Sequence, residues 1–324
     1  MRGLDVHATT SPAILLSLIL NLTLSACGPP PVRPTVEPPP VATELAALWV
    51  DPIDAPSRDL YYGFGGAELA PEPETTRYDF LARKYDITAS SPGYKVRDAR
   101  GRVWDVKLGP EVRAEVAASR LLWAAGYHQP PTHYVERWEL RKDDEEITAQ
   151  PPARFRPQLE GFVRREDWSW QQNPFVGTVE YRGLVVLMLM LNNWDLTEAN
   201  NSLFDLSAPL DGASRWYVVW DVGASFSRNR GTWRQGTRGD LEGFSREGFI
   251  ESASDGHVVF AWTGRHQELI ESIKPGDVRW IAEKLKRLRP EQWDDAFRAA
   301  GYRPDEARLL KSELGERISA AQRL

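Results

Sequence analysis

Hydrophobic and polar positions along the chain separate into blocks with different periods. Residues 14–24 (ILLSLILNLTL) form one short apolar run, with Arg2 and Asp5 ahead of it. It is too short for a membrane span, which needs ~20 apolar residues, and it closes on Ser25-Ala26-Cys27 as an export signal would. Residues 28–40 (GPPPVRPTVEPPP) favour an extended polyproline tether. Residues 41–75 mix short apolar pieces with the Gly-rich YYGFGGAE, predicting an ordered but irregular approach segment. The globular pattern starts near Arg77. Tyr94–Arg97 and Val103–Lys107 alternate as strands, joined by the turn Asp98-Ala99-Arg100-Gly101. A helix is predicted from Pro110-Glu111 to Ala125, with Gly126 as its left-handed cap and Pro130-Pro131 barring continuation. A strand is predicted over Thr132–Leu140. From Phe162 the pattern reads as helical, with Val179–Leu191 almost wholly apolar. Thirteen such residues suit a buried core helix better than a membrane span. A polar loop at 192–201, a strand at 215–220 and helices over 278–324 complete the pattern. This predicts an α+β chain: a small β-rich lobe over 76–140, then a larger helical lobe over 141–324.

Composition narrows the compartment. Cys27 is the only cysteine in 324 residues, so no disulfide and no thiolate metal site can form. Leu24-Ser25-Ala26-Cys27 resembles the lipobox of bacterial lipoproteins. That resemblance implies a signal peptide over residues 1–26, lipidation of Cys27 with palmitate among its acyl chains, and a membrane partner reached through the lipid. Gly28 in place of aspartate points to the outer membrane of the cell envelope, facing the periplasm. Loss of Arg2 and Asp5 with the signal leaves the net charge at −6, which argues against a nucleic-acid partner.

Four chemistry-bearing pieces occur in order: Lys107 on a strand, Glu115 on the next helix, Asp195-Leu-Thr-Glu-Ala-Asn200 in a loop after the apolar helix, and Asp221-Val-Gly223 ending a strand. Over residues 78–300 this order resembles the protein-kinase-like superfamily, in particular its HipA-type and secreted atypical branches. The resemblance implies a two-lobed kinase-like fold with ATP and Mg²⁺ as cofactors, moving a phosphoryl or related nucleotide-derived group to an unknown acceptor. Lys107 would hold the phosphates and Glu115 the lysine, with Glu111 as substitute. Asn200 and Asp221 would supply hard oxygen ligands to the metal, and Asp195 would take the acceptor proton. The basic run 228–238 follows Asp221 as an activation segment would, or is a plain solvated loop. Asn-Asn-Trp precedes Asp195 where the family has His-Arg, Val222 stands for the usual Phe, and Ser90-Ser91-Pro92-Gly93 replaces a Gly-rich phosphate loop. These departures, with ATP scarce outside the inner membrane, leave a second expectation: an inactive pseudokinase serving as an envelope binding scaffold. The histidines lack metal-ligand spacing, and Ser225 lies outside any nucleophile elbow.

Overall fold

In the computed structural model, residues 42–72, 76–84, 91–142, 147–228, 237–254 and 256–324 are described. The expectations for the signal peptide, Cys27 and the tether lie outside them, as does most of the basic run, 229–236.

The elements are α1 (Ala42–Leu45), β1 (Arg77–Lys84), β2 (Gly93–Arg97), β3 (Val103–Leu108), α2 (Val112–Ala124), β4 (His133–Val135), β5 (Trp138–Arg141), β6 (Ile147–Gln150) and β7 (Ala153–Pro157). Then follow β8 (Phe162–Arg164), α3 (Val179–Met190), β9 (Asn201–Leu210), β10 (Ala213–Val219), α4 (Leu241–Arg246), β11 (Ile250–Ser254), β12 (His257–Phe260), α5 (Gln267–Ile270), α6 (Pro275–Lys286), α7 (Pro290–Ala299) and α8 (Pro304–Gln322). The chain is thus mixed α+β, sheet-rich in its first part and helix-rich in its second. Among the described residues one sheet has seven strands in the order β4-β7-β3-β2-β1-β5-β6. A second sheet runs β10-β9-β8, and β11 pairs with β12.

The β2–β3 hairpin forms as the alternation predicts, with Tyr94 opposite Val106 and Val96 opposite Trp104. Asp98 closes its turn by accepting from the Arg100 and Arg102 amides at 3.0 and 2.9 Å. Its other oxygen accepts the buried Trp104 indole at 2.9 Å. Trp104, Val106 and Leu108 face the core with Trp138 and Phe155.

Helix α2 ends at Gly126, as expected. Gly126 sits at φ +101°, and a Cβ there would lie 2.3 Å from the Val50 carbonyl oxygen. Strain of this kind costs on the order of 1–3 kcal/mol. Gly126→Ala is therefore expected to lower the denaturant midpoint by about that amount, and an unchanged midpoint would refute this account.

Two local expectations fail, each for a tertiary reason. The strand expected over 132–140 breaks at Glu136-Arg137, so that β4 pairs with β7 while β5 pairs in parallel with β1. Residues 162–178 are not helical. Phe162–Arg164 instead pairs with β9, and the helix starts only after Thr178, whose hydroxyl accepts from the Tyr181 amide at 3.1 Å. The expected loop ends on β9, which starts at Asn201 and pairs with β10 through residues to which the pattern assigned no element. Strand β7 was hidden by its two arginines.

Helix α3 is buried almost throughout, as its composition predicts. No helix among the described residues is long and apolar enough to cross a membrane. The C-terminal helices α6, α7 and α8 each begin on a proline (Pro275, Pro290, Pro304), with Asp277, Gln292 or Glu306 accepting the amide just before the helix at 2.8–2.9 Å. Their apolar faces join α3 and α2 in the largest core cluster.

Candidate functional site

Strand alternation puts Lys107 on the face of β3 opposite Trp104, Val106 and Leu108. The β3–β7 register sets Arg154 opposite Lys107 and Arg156 opposite Asp105. Like charges directly opposed destabilise a sheet, so this arrangement needs an anion close by. Helix α2 supplies it. Glu115, fully buried, lies 3.0 Å from the Lys107 ammonium, 3.1 Å from Arg154 and 2.7 Å from Arg156. Glu111, at the N-cap of α2, lies 2.6 Å from the same ammonium, so both carboxylates reach it. Ser91 donates to Glu111 at 2.8 Å from just ahead of β2; Ser90 lies outside the described residues. Arg113 pairs instead with Glu306 of α8.

The other wall comes from the β9–β10 hairpin. Its register places Val219 opposite Asn201. The next residues therefore meet as well, and the Asn200 carbonyl accepts from the Trp220 and Asp221 amides at 2.7 and 2.9 Å. The Asn200 side chain donates to the Asp195 carbonyl at 2.7 Å, so one residue ties the Asp195 loop to the Asp221 strand end. Upstream, Asn192 adopts φ +49° and donates to the Ser227 carbonyl at 2.6 Å, while the Asn193 side chain accepts the Asp195 amide at 3.2 Å. Asn192 and Asn193, ahead of Asp195, thus brace the loop. Asp221 accepts the Gly223 amide at 3.0 Å and the Lys107 ammonium at 2.6 Å. Gly223 lies against Glu111, whose Cβ would be 3.0 Å from a side chain there. Val222 is buried.

Lys107, Glu115 and Asp221, distant in sequence, thus meet at one ammonium. Asp195 does not touch Lys107. It is reached through Arg238, which lies 2.5 Å from Glu111 and 3.5 Å from the Asp195 carboxylate and stacks over Trp194. Four cations (Lys107, Arg154, Arg156, Arg238) face four carboxylates (Glu111, Glu115, Asp195, Asp221). Burial disfavours the charge on Lys107, but Glu115, Asp221 and Glu111 outweigh it and hold the ammonium well above its ordinary pKa. Burial likewise opposes the Asp221 carboxylate, yet Lys107 and the Gly223 amide bring its pKa down to about 2. Glu115 is also lowered, burial being overcome by Arg154, Lys107 and Arg156.

A lowered carboxylate stabilises the fold above its unfolded-chain pKa and loses that contribution as pH falls through the folded value. For Asp221 the window runs from the ordinary 3.8 down to about 2. Urea midpoints measured from pH 5 to pH 2 are expected to fall less steeply in Asp221→Asn than in the wild type. Parallel curves would rule this coupling out.

Sequence reasoning missed Arg154 and Arg156, whose strand was not recognised, and placed Arg238 only within a basic run. The signal was available in the alternation of Arg154-Phe155-Arg156, where the arginines share one face.

Beside this cluster lies a cavity of about 450 Å³ lined by Asp105, Phe162, Phe204, Trp216 and Trp220 among others. Asp105 is two residues from Lys107 on the same strand face, and Trp220 directly precedes Asp221.

The fold and site define a two-part α+β protein whose central feature is a buried ion cluster beside an aromatic cavity. No protein-family model matches the sequence, and no curated protein matches it. Among solved structures, the Helicobacter pylori proinflammatory kinase CtkA is similar at 10% identity and TM-score 0.45, over 76% of this chain and 96% of that one. The Golgi casein kinase is similar at 11% identity and TM-score 0.35, over 79% of this chain and 72% of that one. Likenesses this loose assign no residue a role.

Proposed function

We propose that this chain is a kinase-like phosphotransferase that uses Mg-ATP. The observation that carries the reading is the convergence of Glu115 and Asp221 on the Lys107 ammonium at 3.0 and 2.6 Å. A strand lysine held by a helix carboxylate, beside an ionised strand-end aspartate, is what binding a metal-bound polyphosphate requires. The residues fit such a ligand. Asp221 is ionised at any physiological pH, and the Asn200 amide nitrogen is already engaged, leaving its oxygen as the ligand atom. No group of three or more His, Cys, Asp or Glu that could hold a metal exists among the described residues. A magnesium ion here would complete its shell with phosphate and water, as that ion ordinarily does. When bound, the metal-nucleotide supplies the transferable group. Lys107 neutralises phosphate charge, Glu115 fixes the lysine, and the aromatic cavity offers stacking surface for a base. Asp195 orients the acceptor hydroxyl and takes its proton. The acceptor is unassigned.

Thermal unfolding of the full chain with and without Mg-ATP tests this. Ligand at ~100 times its dissociation constant stabilises a fold by about 2.7 kcal/mol. Absence of any shift with ATP or GTP, with either Mg²⁺ or Mn²⁺, would remove the nucleotide reading.

A second reading rests on Arg238, which pairs with the Asp195 carboxylate and with Glu111. In that arrangement the chain binds nucleotide and transfers nothing, serving as a pseudokinase scaffold. Nucleotide binding without turnover, in the wild type and also in Arg238→Ala, would establish it. In either reading we propose that the chain is anchored in the bacterial envelope through lipid on Cys27, on the periplasmic side of the outer membrane. Mass spectrometry of the purified N-terminal peptide reports that modification directly.

A further inference from the structure

Helix α2 also carries a buried cation that takes no part in the ion cluster. Arg120 is 1% exposed, yet it has no carboxylate partner among the described residues, and its Nε has no hydrogen-bond partner. Its one hydrogen bond is long, 3.4 Å to the Tyr61 carbonyl. A buried guanidinium without a counter-ion is costly and calls for an explanation.

The Gly-rich segment found in the sequence supplies part of it. Gly63 sits at φ +77° directly on this guanidinium, where a Cβ would come within 2.4 Å of a terminal nitrogen. Of these glycines Gly63 covers Arg120, while Gly65 lies against Leu69. Asp59 favours the guanidinium charge without forming an ion pair with it, and one of its oxygens accepts the Tyr61 and Tyr62 amides at 2.9 and 3.1 Å.

Arg120 lines a cavity of about 320 Å³, together with His133, Tyr61, Tyr62, Tyr134 and Glu72. His133 is also buried, and its Nε2 has no partner. Burial and the neighbouring Arg120 push the imidazole well below its ordinary pKa, against a hydrogen bond to the Leu69 backbone. The ring is thus neutral, with a lone pair at Nε2. Burial also lowers Arg120, to about 10, which still leaves it charged at neutral pH. One cavity therefore holds a guanidinium with no ion-pair partner among the described residues and an imidazole nitrogen with no hydrogen-bond partner.

We propose that this cavity binds a small phosphate-type oxyanion, either free phosphate or a phosphomonoester. Arg120 would grip two oxygens through its planar fork, and His133 Nε2 would accept a hydrogen bond from the P–OH that inorganic phosphate keeps at neutral pH and that an ester keeps only as its monoanion. Carboxylates and sulfate lack that proton and satisfy only Arg120.

The test is thermal unfolding of the full chain at constant ionic strength with inorganic phosphate, glycerol phosphate or sulfate. A saturable rise in melting temperature is expected with phosphate, larger than with sulfate at equal concentration. The rise should vanish in Arg120→Met and persist in Lys107→Met, which places it at this cavity and not at the ion cluster. In His133→Leu the advantage of phosphate over sulfate should disappear, a readout that stands even if Arg120→Met does not fold. The larger response between inorganic and glycerol phosphate identifies the free or the esterified ligand. No saturable rise with either phosphate, an undiminished rise in Arg120→Met, or loss of the rise in Lys107→Met would overturn the proposal.

Discussion

Replacing Glu115 by glutamine is expected to cost the fold about 3–5 kcal/mol, the usual penalty for breaking a buried ion pair from one side. The substitution keeps the volume and removes the charge. Lys107, Arg154 and Arg156 then remain around a neutral amide, at 3.0, 3.1 and 2.7 Å from the former carboxylate oxygens. The two arginines are almost wholly buried and cannot swing into solvent. Glu111→Gln should cost less, because one of its partners, Arg238, is a fifth exposed (21%) and can rehydrate. A domain commonly has only about 5–15 kcal/mol of stability, so the Glu115 variant stands near the limit of folding. Urea midpoints of both variants measure the difference. A Glu115→Gln midpoint within about 0.5 kcal/mol of wild type would mean the cations relax without their anion. Combining Glu115→Leu with Arg154→Met and Arg156→Leu should restore much of the loss, since apolar groups of similar size often replace a buried ionic cluster at little cost.

The second large effect concerns chemistry and separates binding from transfer. Asp195→Asn should leave the Mg-ATP stabilisation in place while reducing turnover by roughly 10²–10⁴-fold, the range for a positioned general base. Asp221→Ala should abolish both, because it removes the proposed metal ligand and one of three carboxylates at the Lys107 ammonium. Asp195 shares only Arg238 with that centre, so its loss leaves Lys107, Glu115 and Asp221 together. Label transfer from γ-labelled ATP, run beside the thermal shift, reads both quantities. Equal turnover in Asp195→Asn and wild type would discard Asp195 as the base. Loss of nucleotide binding in Asp195→Asn would show instead that it belongs to the ligand-holding set.

The local record follows a physical division. Elements encoded by their own periodicity form where the sequence places them: the β2–β3 hairpin, α2 with its Gly126 stop, the apolar α3 and the C-terminal helices. In each, neighbouring residues determine the conformation and the apolar face is continuous. Strands β7 and β9 were not legible, because their stability comes from partners far along the chain. Arg154 and Arg156 look like surface residues until Glu115 is placed among them. Ser202 and Asp205 look like loop residues until β10 pairs alongside.

The site divides in the same way. Resemblance in residue type and order to the protein-kinase-like superfamily singled out Lys107, Glu115, Asp195, Asn200 and Asp221 as a set. Their meeting is a tertiary fact. The β9–β10 register carries Asn200 to Asp221, and the packing of Gly223 against Glu111 brings Asp221 to Lys107. Arg238 on Asp195, the paired arginines behind Glu115 and the unpaired Arg120 under its glycine cover were decided only by the folded chain. Periodicity is a short-range property that a sequence displays directly, whereas charge compensation depends on which distant groups share a low-dielectric space once the chain has folded.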